Sequence, residues 1–204
     1  SYDMKDFIVE KLTSQIVYEN MTTTAVDVDT DGRVGEYFYI TLTDSKGNAL
    51  ANRFIQIGFN GNVYNRTTDS DGKARLQINL KNAGTYTFAV AFLGDENYNG
   101  SFIVAKIVVG KQKGSLTVPS KSYKVNAKTK TLTATFKTNA GNPIVGKTVK
   151  FTVNGKTYSA KTDSNGIAKV NVSLNKKGTY SVSVSTVATG TYESVSTKSS
   201  LKIS

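Results

Sequence analysis

Asp27, Asp29 and Asp31 alternate ahead of Gly32. That is the opening of a calcium loop, in which every second carboxylate turns toward a hard cation and a glycine at the sixth position lets the chain bend sharply. The pattern then fails. Its twelfth position is Phe38 where a bidentate glutamate belongs, Glu36 comes two residues early, and the flanks alternate like strands. The stretch reads as a solvated turn, with Asp27, Asp29 and Asp31 a metal candidate lacking the rest of its loop. Asp95 and Glu96 are adjacent carboxylates, but sequence neighbours seldom converge on one substrate atom, so they read as loop solvation. The 204 residues include no histidine, cysteine or tryptophan. The usual general base, the commonest metal ligand and all thiol and disulfide chemistry are therefore missing, which argues against an enzyme and predicts no cofactor.

Two kinds of covalent chemistry remain open to such a chain. A Lys-to-Asn isopeptide or Thr-to-Gln ester crosslink of the usual arrangement needs its pair on the first and last strands beside a buried acid. The final strands here, about 101–109 and 195–203, contain neither Asn nor Gln, so no crosslink of that arrangement is expected. Asn20, Asn65, Asn99 and Asn171 each begin an N-x-Ser/Thr acceptor for N-glycosylation.

The elements that would position these residues come from a repeat. Shifted by about 94 positions, Asn60, Gly61, Tyr64, Thr68, Asp69, Ser70, Gly72, Ala74, Leu80, Gly84, Thr85 and Tyr86 fall without a gap on Asn154, Gly155, Tyr158, Thr162, Asp163, Ser164, Gly166, Ala168, Leu174, Gly178, Thr179 and Tyr180. What repeats is turn residues and alternating apolar positions, the parts a fold needs. The chain divides into an N-terminal extension (1–20), copy one (21–110) and copy two (111–204), each copy near the size of an immunoglobulin-like sandwich. Period-two alternation runs through both and no segment of either reads as helix. In copy one, strands are expected near 22–28, 36–43, 53–59, 62–68, 73–80, 85–93 and 101–109. Asn60-Gly61 and Asn154-Gly155 suit type I′ hairpins, in which both central residues take positive φ. Asp69 to Gly72 and Asp163 to Gly166 read as a second pair of turns. Gly84-Thr85-Tyr86 and Gly178-Thr179-Tyr180 resemble a tyrosine corner, whose phenol bonds backbone upstream. The expected fold is all-β, two tandem immunoglobulin-like β-sandwiches, joined by a short linker at Gly110 to Gly114 that places them end to end. Copy two has the smaller core side chains and is expected to be the less stable copy.

Alternation also assigns the outward faces. On one sheet copy one turns Phe54, Ala89, Ala91, Phe102 and Val104 outward, where copy two has Thr148, Ser183, Ser185, Ser196 and Lys198. An apolar outer face must be covered or must bind. Phe7, Ile8, Val9, Leu12, Ile16 and Val17 of the extension, or an adjacent domain, are the candidate cover; a partner is the alternative. On the other sheet Tyr37 and Tyr39 point outward, where cross-strand packing competes with stacking on the apolar face of a sugar.

The net charge of +11 lies in copy two, whose sixteen lysines face only Asp163 and Glu193. They are dispersed among Ser and Thr without arginine or aromatics, a pattern of solvated sheet faces rather than a nucleic-acid groove. No apolar run reaches the roughly 18 residues of a membrane span, and the start of the chain does not read as a signal peptide.

Gln56 to Gly61, Lys156 to Ala160 and Thr162 to Ala168, together with Gly-Thr-Tyr before the sixth strand of each copy, resemble the bacterial-type Ig-like repeats of adhesin-like surface proteins of methanogenic archaea, over nearly all of residues 20–204. The resemblance implies a fragment of a large, secreted, wall-associated protein, extracellular and without catalytic role. Its repeats would form a stalk or present a binding surface to a protein or glycan of another cell, with neighbouring repeats of the same chain as further partners and no membrane insertion. Two alternatives are a carbohydrate-binding module using the aromatics of copy one, and an accessory stalk of a larger surface enzyme. One consequence is directly measurable: the intact mass should equal the sequence mass plus any glycan, and a deficit of one ammonia would reveal a crosslink.

Overall fold

The computed structural model describes residues 10–204. Sixteen strands and one short helix follow in order. The described residues form four sheets, three-stranded and five-stranded in turn, paired as two Ig-like β-sandwiches. The chain divides into two compact units.

Unit 1 comprises the described chain as far as Thr23 with Glu36–Ile78 and Gly84–Val108. Its smaller sheet orders β1 (Ser14–Tyr18), β3 (Tyr37–Asp44) and β6 (Lys73–Gln77) as β1-β3-β6. Its larger sheet orders β2 (Met21–Thr24), β8 (Ser101–Gly110), β7 (Gly84–Phe92), β4 (Phe54–Phe59) and β5 (Asn62–Thr67) as β2-β8-β7-β4-β5. Phe38, Ile40, Leu42, Ile55, Ile57, Phe88, Val90 and Ile107 interdigitate between the sheets and are buried. Phe59 and Tyr86 are only half-buried and pack edge to face at its rim.

The start of this unit departs from expectation. Ser14–Tyr18 pairs antiparallel with β3 from Ser14↔Asp44 to Tyr18↔Ile40 and is a strand of the sandwich. Strand β2 ends at Thr24, and Val28–Asp31 forms a one-turn helix, α1, closed by Gly32 in the left-handed conformation. Four residues of aspartate and β-branched chain have weak helical preference, so neither periodicity nor propensity announces this turn.

Unit 2 gathers Thr24–Gly35, Asn79–Ala83 and Val109–Ser204. Its smaller sheet is β14 (Ile167–Asn171), β11 (Thr131–Thr138) and β9 (Gly114–Thr117). Its larger sheet is β10 (Lys121–Tyr123), β16 (Ser196–Ile203), β15 (Gly178–Thr186), β12 (Thr148–Val153) and β13 (Lys156–Lys161). Leu132, Ala134, Val149, Phe151, Val182, Val184 and Leu201 are among its buried core, and Phe136, Ile144 and Tyr192 form a second cluster contributed partly by loops. Tyr180 is half-buried and donates its hydroxyl to the Lys176 carbonyl at 2.7 Å, the corner geometry expected of it. Gly110 to Gly114 is not a free linker. Gln112 is buried, its amide donating to the Thr191 carbonyl and its own carbonyl accepting from the Glu193 amide. Lys130 is likewise buried, its ammonium donating to the Val125 and Ala127 carbonyls, an exception to the solvated lysines around it.

The two kinds of turn are built differently. Asn60, Gly61, Asn154 and Gly155 all have positive φ, as a type I′ hairpin requires. In the other pair only Gly72 and Gly166 are positive. There Asp69 and Asp163 use one side-chain oxygen to accept the amides two and four residues on, so an aspartate holds the loop and glycine closes it. A Cβ on Gly166 would stand 2.5 Å from the Phe136 carbonyl oxygen, whereas one on Gly155 would meet nothing within 4 Å. Gly155→Ala should therefore cost about 1 kcal/mol for conformation alone, and Gly166→Ala roughly 2–4 kcal/mol because the turn must also withdraw from β11. Denaturant titration of the two variants checks this, and equal losses would remove the close approach as the cause.

Candidate functional site

Three places carry the residues singled out by sequence: the outer face of the smaller sheet of unit 1, the outer face of its larger sheet, and the acidic turn now found in unit 2.

On the smaller sheet β3 sets Tyr37 and Tyr39 outward, 37% and 51% exposed. Their rings lie 6.2 Å apart at 48° to one another. Register places Tyr37 beside Gln77, Tyr39 beside Arg75 and Thr41 beside Lys73. The Arg75 guanidinium sits 4.1 Å from the centroid of Tyr37, a cation–π stack that holds the long side chain against the sheet. Arg66 is fixed separately, its Nε donating to the Arg75 carbonyl and its Nη1 to that of Asn65, both at 2.8 Å. Two shallow clefts flank the tyrosines. One of about 550 Å³ adds Arg66, Asp69, Lys73, Arg75 and Gln77; the other, about 560 Å³, adds Tyr18, Glu19, Asn20, Thr41 and Lys73. The two rings do touch, so mutual packing explains part of their position without removing the exposed face.

On the larger sheet Phe54 is 49% and Phe102 64% exposed, and Val104 is exposed beside half-buried Ala89 and Ala91. Ser14–Tyr18 does not cover this face, because it is a strand of the opposite sheet. Phe7, Ile8 and Val9 lie outside the described residues. The equivalent places in unit 2 are polar: Ser183, Ser196 and Lys198 are exposed there. Beside Phe54, Arg53 pairs with Asp95 at 2.8 Å. Asp95 is thus not free loop solvation. One of its oxygens accepts the Asn97 and Tyr98 amides, both at 2.8 Å. Partial burial works against its charge, but those amides and the Arg53 guanidinium prevail and hold its carboxyl below the ordinary aspartate value.

The acidic turn is a correction. Asp29 is exposed, but Asp27 and Asp31 are buried, Asp31 to 1% exposure. Asp31 Oδ2 accepts the Tyr192 hydroxyl at 2.6 Å and Gln112 Nε2 at 2.7 Å, while Oδ1 accepts the Arg33 amide at 2.8 Å. The Arg33 guanidinium donates in turn to Gln112 Oε1 at 2.6 Å. The Lys81 ammonium lies 3.4 Å from Asp27 Oδ2. Among the described residues no group of three or more His, Cys, Asp or Glu could hold a metal. Asp27, Asp29 and Asp31 do not converge: Asp31 is spent on protein donors, which is what a charge taken out of water requires, while Asp27 Oδ2 makes no hydrogen bond and is balanced by the Lys81 charge. A cleft of about 590 Å³ is walled by Thr24, Arg33, Lys111, Gln112, Lys113, Asn139 and Ala140. Sequence reasoning missed Gln112 and Tyr192 because both sit in loops, and the one available hint was a tyrosine and a glutamine in otherwise small, lysine-rich stretches.

All four sequon asparagines are exposed. Asn20 and Asn171 use their side-chain oxygens internally, accepting the Lys106 amide and the Thr131 hydroxyl.

Residues 114–199 match the family model of the bacterial Ig-like domain (group 1). Across 194 residues the chain is 27% identical to the inverse autotransporter adhesin YeeJ of Escherichia coli (strain K12), an alignment covering 88% of this chain and 8% of that protein. Among solved structures it is similar to invasin, described as a bacterial integrin-binding protein, with a TM-score of 0.50 and 20% identity over 92% of this chain and 38% of that one. At that identity the likeness shows the fold. The chain thus spans only part of the length of the relatives it matches. No helix among the described residues is long and apolar enough to cross a membrane.

Tyr192 offers a test of the buried cluster. Burial pushes its phenol well above the ordinary value, and the hydrogen bond to Asp31 with that group's charge pushes the same way. The folded state keeps the proton after the unfolded chain has lost its own, so this contribution is whole below about pH 10 and drains above it by about 1.4 kcal/mol per pH unit. Tyr192→Phe should cost about 1–3 kcal/mol at neutral pH and flatten that alkaline slope. Denaturant unfolding of both proteins across pH 9 to 11 decides it.

Proposed function

We propose that this chain is a segment of a cell-surface adhesin, outside the cell or on its wall, in which non-catalytic Ig-like sandwiches act as stalk and present an attachment face to a protein or glycan of another cell. The observation that carries this reading is the asymmetry of the outer faces. Two sandwiches share their turns and their core alternation, yet Phe54, Phe102 and Val104 are exposed on unit 1 where unit 2 has Thr148, Ser196 and Lys198. Burying apolar area of this kind against a partner is favourable at about 25 cal/mol per Å², and exposed apolar patches mark interaction surfaces. The similarity to an adhesin across most of the chain supports the protein class. The finer reading of a methanogen surface protein rests on the resemblance carried by Gln56 to Gly61, Lys156 to Ala160 and Thr162 to Ala168.

A second reading is favoured by Tyr37 and Tyr39, which stand between two clefts on the other sheet: a carbohydrate-binding module in the same unit.

Beads coated with the whole chain should adhere to the cells or immobilised partner found in a glycan and surface-protein screen. Phe54→Ser with Phe102→Ser should reduce that adhesion by roughly tenfold or more and leave the melting temperature unchanged, since both rings already face solvent. Adhesion that survives the double variant would defeat the assignment of this face.

A further inference from the structure

The tyrosine face of unit 1 combines aromatic surface with cations held in place. Arg66, Lys73 and Arg75 line the first cleft against the single carboxylate of Asp69, and Asp69 already spends one oxygen on the Asp71 and Lys73 amides of its own turn. Neither arginine is a loose surface chain. Arg66 is tied by two carbonyls, and the exposed Arg75 sits with its guanidinium carbon 4.1 Å from the centroid of the Tyr37 ring. A guanidinium immobilised in advance loses less rotamer entropy when it grips a carboxylate, and its fork matches the two oxygens. Tyr39, half exposed and beside Arg75 in register, supplies the ring on which an apolar sugar face can rest.

We infer that this groove binds an acidic polysaccharide whose pyranose rings carry carboxylates. A ring stacks on Tyr39 and its carboxylate is held by Arg66 and Arg75. This rests on the carbohydrate reading above and names its ligand class. The second cleft bears on the choice between sugar and nucleic acid. Beyond the tyrosines it offers Lys73 against Glu19, with Asn20, Thr22 and Thr41 between. Asn20, Thr22 and Thr41 suit the ring hydroxyls of a saccharide, which a backbone of phosphates and deoxyriboses lacks. A saccharide with hydroxyls at one end and an acid at the other finds hydrogen-bonding partners along both clefts.

Calorimetry of the whole chain with a galacturonic acid trimer, with cellotriose and with a short oligothymidylate tests the inference. The acidic trimer should bind, cellotriose should bind at least tenfold more weakly, and Tyr39→Ser and Arg75→Gln should each weaken the acidic trimer by about tenfold. Both side chains are partly or fully exposed, so each variant should stay folded, with a melting temperature within about 5 °C of the parent chain's. Lys198→Gln, on the lysine-rich unit 2, should change nothing. Equal binding of cellotriose and the acidic trimer, both lost in Tyr39→Ser, would overturn the acidic preference and leave the carbohydrate reading standing. No binding of either saccharide would end both. Binding of the acidic trimer unaltered by Tyr39→Ser and Arg75→Gln would assign it to diffuse attraction by the lysines of unit 2 and overturn the site. Tighter binding of oligothymidylate through the same two residues would replace the sugar by a nucleic acid.

Discussion

Neighbouring side chains on a β-strand face opposite ways, so a slip of one residue in strand pairing would carry every core side chain into water and every surface chain into the core. The two sandwiches depend on preventing that slip. Asn60-Gly61 pins β4 to β5 from Phe54↔Thr67 to Phe59↔Asn62, and Asn154-Gly155 does the same for β12 and β13. Asp69 and Asp163 hold the turns that deliver β6 and β14 to their partners, and Gly72 and Gly166 let those turns press against Leu42 and Phe136. Once these registers are set the outer faces have no freedom of their own. Phe54 is outside because Ile55 and Ile57 are inside, and Tyr37 and Tyr39 are outside because Phe38 and Ile40 are inside.

Unit 2 adds a second constraint of a different kind. A carboxylate at 1% exposure is expensive unless its lone pairs are filled, and Asp31 is filled by a phenol, an amide side chain and a backbone N–H. Each donor is itself held. Gln112 is fixed by Arg33 and by two backbone bonds, and Tyr192 packs edge to face on Phe136. The network therefore ties the loops of unit 2 to its apolar core rather than opening onto a substrate. Buried ionisable groups often mark catalysis; the short bonds of Asp31 to protein donors give that carboxylate a structural occupation.

What could be read from the amino acids follows from local rules. Strand positions, both kinds of turn and the Tyr180 corner each depend on a few consecutive residues whose conformational preferences point one way. The elements that escaped lack that local support. In β1 only Ser14 and Ile16 are buried while Val17 is exposed, so its alternation carries little apolar signal and pairing with β3 supplies what pattern does not. Leu50 and Ile144 close the ends of the two cores from loops, where no periodicity identifies an inward residue. Lysine is almost always solvated, and the burial of Lys130 follows from two carbonyls five and three residues earlier.

The chain by itself determined the all-β class, the doubled sandwich, the turn chemistry and which apolar residues could not be satisfied inside their own sheet, because alternation and positive-φ residues act within a few positions of one another. Tertiary structure decided that Asp31 is buried, that Gln112 and Tyr192 receive it, and that Arg66 and Arg75 flank the same tyrosines. Those outcomes hang on partners as many as 161 residues apart, and a hydrogen bond or an ion pair at such separation exists only after the sheets have closed.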